Sequence, residues 1–367
     1  MKRIKIVLLC SIILTGCTSH VEKDYFDAQG EGILLTSRNL GIDSVTGWSF
    51  CKMVIGDKLI QYLVGDKYAF SVYNIKGDSL FYENKFVING NGPYELKVAK
   101  IKYLPDRNEM LIFSESASEN DVYRVRLNDF NNLYDTKNWE TQKLPLLPFR
   151  STLDFVNDSL YLLLSLTKEN SLFSLAYKGK DNYIKSLNFP YPVDEKESAS
   201  LKFSLFMGKL IKHPTQPKFI YSNNSFRYVI VFELNNDEIK NVRYLSAVLP
   251  DYKPVHDNLY WKYSLNKDTK SNCRVIVATE RYCYIGYNNM TIKNENDEIP
   301  FKGYPNAYFD RINVFDWEGN FIKRLVLDQP VYCFSVSPDE RYIYATSVDL
   351  TQENQPDQVL RFELKGE

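Results

Sequence analysis

Ile312-Asn313-Val314-Phe315-Asp316-Trp317-Glu318-Gly319-Asn320 is a short apolar strand closed by a turn whose Gly and Asn tolerate positive φ. The same unit recurs at Phe70–Asp78, Val122–Asp129, Leu172–Lys180, Tyr228–Asp237 and Val359–Gly366. Measured on the residue before each turn (Ile75, Leu127, Tyr177, Leu234, Trp317, Leu364), the spacings are 52, 50, 57, 83 and 47. A period near fifty is that of a four-stranded propeller blade. Two further short strands joined by a tight turn precede several copies, most plainly Tyr332–Val336 and Tyr342–Thr346 around Ser337-Pro338-Asp339-Glu340-Arg341. The expectation is an all-β chain, a six-bladed β-propeller of four-stranded antiparallel blades.

The last unit lacks a fourth strand, while Ile33-Leu34-Leu35-Thr36-Ser37 precedes the first unit without a place of its own. A ring must hide its strand edges. Ile33–Ser37 is therefore expected to complete the last blade. A seventh, degraded blade inside the 83-residue interval, or a pair of β-sandwiches with coincidental turns, are the alternatives.

Composition narrows the function. The chain has 367 residues, 25% charged and 44% hydrophobic, enough for a large core. Lysine and arginine number 45 against 46 acids, net −1, which argues against a nucleic-acid partner. Aromatic content is 14%, with 27 Tyr and 22 Phe, a bias that suits half-buried strands. Of three histidines, His20 precedes the domain, so a three-histidine metal site is excluded. Neither a metal nor a cofactor is expected.

The N-terminus reads as a signal peptide. Lys2, Arg3 and Lys5 lead into the apolar run Ile6–Leu14, too short for a permanent membrane span. Leu14-Thr15-Gly16-Cys17 resembles the bacterial lipobox, which implies cleavage before Cys17 and a diacylglycerol on its sulfur. Residues 1–16 are then the signal, 17–31 a flexible lipidated tether and 32–367 a single propeller. Cleavage leaves 42 basic residues against 46 acids, net −4. The implied location is the bacterial cell envelope, with attachment to the membrane through a lipid anchor alone and the outer membrane (periplasmic or surface face) expected. Cys51, Cys273, Cys283 and Cys333 show no metal spacing and read as buried small residues, one bridge being permitted by the compartment.

Between the first two units lies Asn89-Gly90-Asn91-Gly92-Pro93-Tyr94-Glu95. This GxGPxE run, with the lipobox start, the Phe70-Ser71-Val72-Tyr73 strand and the Ser337–Arg341 hairpin, resembles the TolB-like six-bladed propeller lipoproteins common in Bacteroidetes. The resemblance implies a fold and an envelope location, and no reaction. Read alone, the run is a tight inter-blade turn whose glycines serve backbone geometry. Gly90, Gly92, Tyr94 and Glu95 are nonetheless candidate ligand contacts.

Blade geometry selects a working face. With strands A to D running outward, D–A and B–C connections share one face, and A–B and C–D turns the other. The long segments Asn89–Leu96, Pro190–Lys202, Pro250–Asn272, Asn288–Phe309 and Asp349–Asp357 all belong to the first class, and long loops are where function concentrates. Two of them carry Tyr252, His256, Tyr260, Trp261, Tyr304, Asn306 and Tyr308, a mixture suited to protein or carbohydrate surfaces. No G-x-S-x-G, calcium loop or phosphate loop occurs, and no catalytic residue is assigned. Binding of an envelope protein or glycan leads; a hydrolase or lyase in the central channel is the alternative.

Overall fold

A computed structural model describes residues 25–26, 32–42, 49–114, 121–143, 150–165, 171–177, 184–187, 197–247, 249–257, 260–296, 303–304, 306–348 and 358–364. Three short strands open it: β1 (Ile33–Leu35), β2 (Ser37–Asn39) and β3 (Gly41–Ile42). Blade 1 holds β4 (Ser49–Ile55), β5 (Lys58–Leu63), β6 (Tyr68–Lys76) and β7 (Ser79–Ile88). Blade 2 holds β8 (Ala99–Leu104), β9 (Glu109–Ser114), β10 (Asp121–Arg126) and β11 (Glu140–Lys143). Blade 3 holds β12 (Arg150–Asn157), β13 (Leu160–Ser165), β14 (Phe173–Tyr177) and β15 (Ile184–Ser186).

Helix α1 (Ala199–Leu205) leads into blade 4, made of β16 (Gly208–Lys212), β17 (Lys218–Asn223), β18 (Val229–Asn235) and β19 (Glu238–Ser246). A separate hairpin follows, β20 (Tyr252–Asp257) and β21 (Tyr260–Leu265). Blade 5 holds β22 (Val275–Ala278) and β23 (Tyr282–Tyr287), then α2 (Ile292–Asn296), β24 (Phe309–Asp316) and β25 (Phe321–Val331). Blade 6 holds β26 (Cys333–Val336), β27 (Tyr342–Ser347) and β28 (Gln358–Glu363). Neighbours within each blade pair antiparallel in chain order. The 83-residue interval thus contains a hairpin instead of a seventh blade.

An N-terminal strand closes the ring, but with a different register from the one expected. Ser37–Asn39, not Ile33–Ser37, pairs antiparallel with β28 to supply the fourth strand of blade 6. Ile33–Leu35 instead runs parallel to β25 on the rim of blade 5, and Gly41–Ile42 parallel to β7 on blade 1. The strap therefore spans three consecutive blades. An outermost strand is exposed, so Ser37-Arg38-Asn39 carries no apolar alternation to betray it. Leu35 is the buried side chain of β1 and enters the blade 5–6 core.

Both faces of a blade are covered, one by each neighbour, which is why strand alternation here is apolar on both sides. Ile60, Phe70 and Val72 of blade 1 meet Ile101, Met110 and Ile112 of blade 2. The blades diverge toward the rim, and at the blade 4–5 seam the widening gap is filled from the N-terminal segment. Phe26 is fully buried against Tyr287 (centroids 4.9 Å, edge-on), and Tyr25 stacks on Phe321 at 5.4 Å. The Tyr25 carbonyl accepts a hydrogen bond from Arg324 Nη2 at 2.6 Å. Tyr25 and Phe26 are thus docked, although they fall within the stretch expected to be a flexible tether. Cys17 lies outside the described residues.

Polar contacts on and near the short-turn side tie each blade to the next. Tyr134 donates to Glu83 (2.8 Å, blades 2 and 1), and Arg107 and Arg124 both engage Asp158 (blades 2 and 3). Tyr177 donates to Asp237 (2.5 Å, blades 3 and 4), and Lys218 pairs with Glu318 (2.5 Å, blades 4 and 5). Arg281 pairs with Glu340 (2.7 Å, blades 5 and 6), and Arg361 with Asp78 (2.5 Å, blades 6 and 1). One connection on this side is long after all. Leu127–Trp139, between β10 and β11, folds into two 3-10 turns at Phe130–Tyr134 and Thr136–Asn138, so loop length is not confined to the opposite face.

Candidate functional site

The GxGPxE run forms a turn closed on itself. Glu95 N donates to the Gly92 carbonyl at 3.1 Å, and Leu96 N to the Ile88 carbonyl at 3.0 Å. The Glu95 side chain curls back so that its Oε2 accepts from Gly92 N at 2.8 Å. A β-carbon on Gly90 would collide with that carboxylate, and one on Gly92 would come within 2.9 Å of it. Neither glycine has a positive φ. The glycines make room for the glutamate. Tyr94 takes the left-handed conformation (φ 61°) and lays its ring 5.3 Å from Tyr123 and 6.1 Å from Trp139.

The hairpin β20–β21 carries the next candidates. Its register sets His256 opposite Trp261 and Asp257 opposite Tyr260, at the tip. Lower down, Tyr252, Tyr263 and Leu265 pack against the core shared by blades 3 and 4. The Tyr263 hydroxyl lies 2.6 Å from Ser225 Oγ, and Tyr252 donates to Glu197 at 3.3 Å. Burial pushes the Tyr263 phenol up, which keeps it a neutral hydrogen-bonding group. An isolated two-stranded hairpin is marginal in water, so these anchors hold it.

Tyr304, Asn306 and Tyr308 sit on the other long loop, toward blade 6. Tyr304 and Tyr308 pair at 5.4 Å, and Tyr308 meets Tyr332 edge-on at 5.7 Å. Asn288, fully buried at the end of β23, donates from Nδ2 to the carbonyls of Asn306 (3.0 Å) and Tyr308 (2.8 Å). The loop is thereby pinned through its backbone. The hairpin leans on blades 3 and 4 while Tyr304 and Tyr308 face the blade 5–6 seam, so the two aromatic groups occupy separate sectors of one face.

His213 is structural. It is buried 4.8 Å from the Trp317 ring, Nδ1 accepts from the amides of Thr215 and Gln216 (both 3.1 Å), and Nε2 faces the Glu280 carbonyl at 3.0 Å. That pattern requires Nδ1 to be unprotonated and Nε2 to donate. Burial accordingly pulls its pKa down, against the opposing pull of Glu280.

The innermost strands hold charges that loop-based reading overlooks. They carry Lys52, Lys100, Lys102, Arg150, Lys209 and Lys212, with Asp154 as their acid. Lys102 of blade 2 pairs with Asp154 of blade 3, whose Oδ2 also accepts from the Lys212 amide of blade 4 at 2.8 Å. The Lys212 ammonium donates to the His213 carbonyl at 3.0 Å. Burial, reinforced by Lys102, pushes Lys212 down to about 8. Aligning the repeats would have exposed this set, since charged residues recur in the first strand of successive units. Among the described residues, no three His, Cys, Asp or Glu side chains converge as a metal site.

A six-sheet ring with a GxGPxE turn between its first two blades is matched by one family description, TolB-like 6-blade propeller-like, over residues 53–339. The chain belongs to that family. The match begins within β4 and ends in the β26–β27 turn, leaving the closing strap outside it. No protein of curated function matches the chain. Among solved structures it is similar to a member of the DUF4221 family from Bacteroides vulgatus (10% identity, TM-score 0.47, covering 91% of this chain and 96% of that one). It is also similar to a protein described as exported from Bacteroides fragilis (13% identity, TM-score 0.47, covering 89% and 94%).

Proposed function

We propose that this propeller is a lipid-anchored envelope protein that binds or scaffolds a protein or glycan through its long-loop face. The anchored hairpin carries this reading. It projects from the connection between blades 4 and 5, and Tyr252, Tyr263 and Leu265 lock its base, so its tip is presented without a large ordering cost on binding. Anchor aromatics at interface centres commonly cost about 2 kcal/mol or more on truncation, roughly a thirtyfold loss of affinity.

Capture from envelope lysate by the purified mature protein tests it. Trp261→Ala should weaken capture while leaving the melting temperature unchanged, and Glu318→Lys on the opposite face should do little. Sensitivity at Glu318 with silence at Trp261 would place the binding face elsewhere. The anchor is tested separately: Cys17→Ala should block processing and release the protein from membranes.

A hydrolase or lyase in the channel is the second reading, favoured by Lys212, a buried lysine lowered to about 8 beside the Lys102–Asp154 pair. Turnover of any envelope polymer that disappears in Lys212→Met would support it. Equal turnover in that variant would end it.

A further inference from the structure

Each inner strand presents one residue at the level where it enters from the long-loop face. In blade order, blade 3 apart, these are Phe50, Lys100, Lys209, Arg274 and Tyr332, each the second residue of its strand or the one just before it. Blades 2, 4 and 5 contribute cations, and blades 6 and 1 contribute aromatics.

The two sectors are continuous. Lys209 Nζ donates to the Arg274 carbonyl at 2.5 Å, joining blades 4 and 5. Arg274 is half-buried at the start of β22, and its neighbour Val275 packs against the same cluster as Tyr332 of blade 6. Tyr332 stacks on Phe50 of blade 1 (centroids 4.5 Å, planes 23° apart), with Tyr308 and Tyr304 extending the aromatic group outward. Phe50, Tyr332 and Tyr304 are half-buried, as a platform flanking a channel mouth would be.

A cationic arc facing an aromatic arc matches a ligand that is anionic on one side and flat and weakly polar on the other. A pyranose ring offers axial C–H groups to an aromatic face, and a carboxylate or sulfate on that ring suits Lys and Arg donors. We propose that the long-loop mouth of the axial channel binds an acidic carbohydrate, its charged group held by Lys100, Lys209 and Arg274 and its ring stacked beside Phe50, Tyr332 and Tyr304. This rests on the reading that the long-loop face is the binding face, and specifies its ligand as a uronate-bearing or sulfated glycan.

Titration calorimetry on the mature chain tests the proposal with four probes: alginate-derived oligouronates, heparin-derived oligosaccharides, neutral cello-oligosaccharides and citrate. At least one acidic oligosaccharide should bind at least tenfold more tightly than the neutral sugar and citrate, and the tighter of the two identifies carboxylate or sulfate as the preferred group. Lys209→Gln and Tyr332→Leu should each weaken that binding about tenfold. Lys100→Gln serves in place of Lys209→Gln should the latter misfold. Lys143→Gln, on the outer strand of blade 2, should leave the affinity unchanged. Equal binding of neutral sugar, citrate as tight as the oligosaccharides, no binding of either acidic probe, or indifference to the mouth substitutions would each overturn the proposal. Trp261-dependent capture of an envelope partner together with any of those results would leave the face reading standing and remove only the sugar site.

Discussion

Arg361 Nη2 lies 2.5 Å from Asp78 Oδ1, so the last strand of the chain is tied to the C–D turn of the first blade. Arg38 reaches the same carboxylate at 2.5 Å from the strap. Three segments far apart in sequence thus meet at the seam where the ring closes. The strap adds strand pairing to blades 5, 6 and 1 across that seam.

Removing the strap should therefore open the seam. A mature protein beginning at Leu40 loses β1 and β2 and exposes the edge of β28. We expect its thermal midpoint to fall by about 5 °C or more, with aggregation through the bared edge. Melting identical to the full mature chain would show that the last blade is closed without Ser37–Asn39.

Gly90 and Glu95 should be energetically coupled. Gly90→Ala forces its methyl into the Glu95 carboxylate and should destabilise by about 1–3 kcal/mol, as overpacking does. Glu95→Ala clears that space, so the double variant should lose less than the two single losses together. Strict additivity in denaturant unfolding would mean that the turn relaxes around the methyl group.

The acid limb of stability should begin with His213. Its folded pKa is depressed below the ordinary 6.5, so the unfolded chain takes up a proton first as pH falls. The associated stability is complete above about 6.5 and is lost between that value and the lower folded one. His213→Gln should flatten the melting profile across this window. At lower pH the Asp158 carboxyl takes over. Burial alone would raise it, but hydrogen bonds from Arg107 and Arg124 outweigh burial and hold it below its ordinary value. Its contribution is lost as pH falls through the carboxylate range.

Cys51, Cys273, Cys283 and Cys333 are buried and form no disulfide among the described residues, and burial pushes the Cys283 and Cys333 thiols well up. A thiol reagent at pH 8 should leave all four untouched in the native protein and label all four in denaturant. Fewer labelled thiols after unfolding would reveal a disulfide in the mature protein.

The blades were legible because their turns repeat in step with a period-two pattern, as at Ile312–Asn320. Ring closure was legible as a need, since the last unit lacked a strand. Its register was not, because Ser37-Arg38-Asn39 is polar on an exposed edge and pairs through backbone alone. Phe26 escaped notice for a related reason: one aromatic pair within a polar stretch carries no periodic signal. The loop candidates came from residue type and loop length, which locate a face but not its sectors. The channel-mouth residues sit singly at the starts of different inner strands, and only the ring geometry gathers them.

If Cys17 carries the lipid anchor proposed above, Tyr25 and Phe26, wedged at the rim between blades 4 and 5, would set the reach of the propeller from the membrane. With lipid on Cys17, eight Cα–Cα steps separate the bilayer surface from Tyr25, and an extended chain spans at most about 28 Å over that distance. The rim of blades 4 and 5 is then on a short leash, with the far blades standing off the lipid. Partners residing in the same thin layer would meet a high local concentration of the propeller, while those deeper in the compartment would have to come to it.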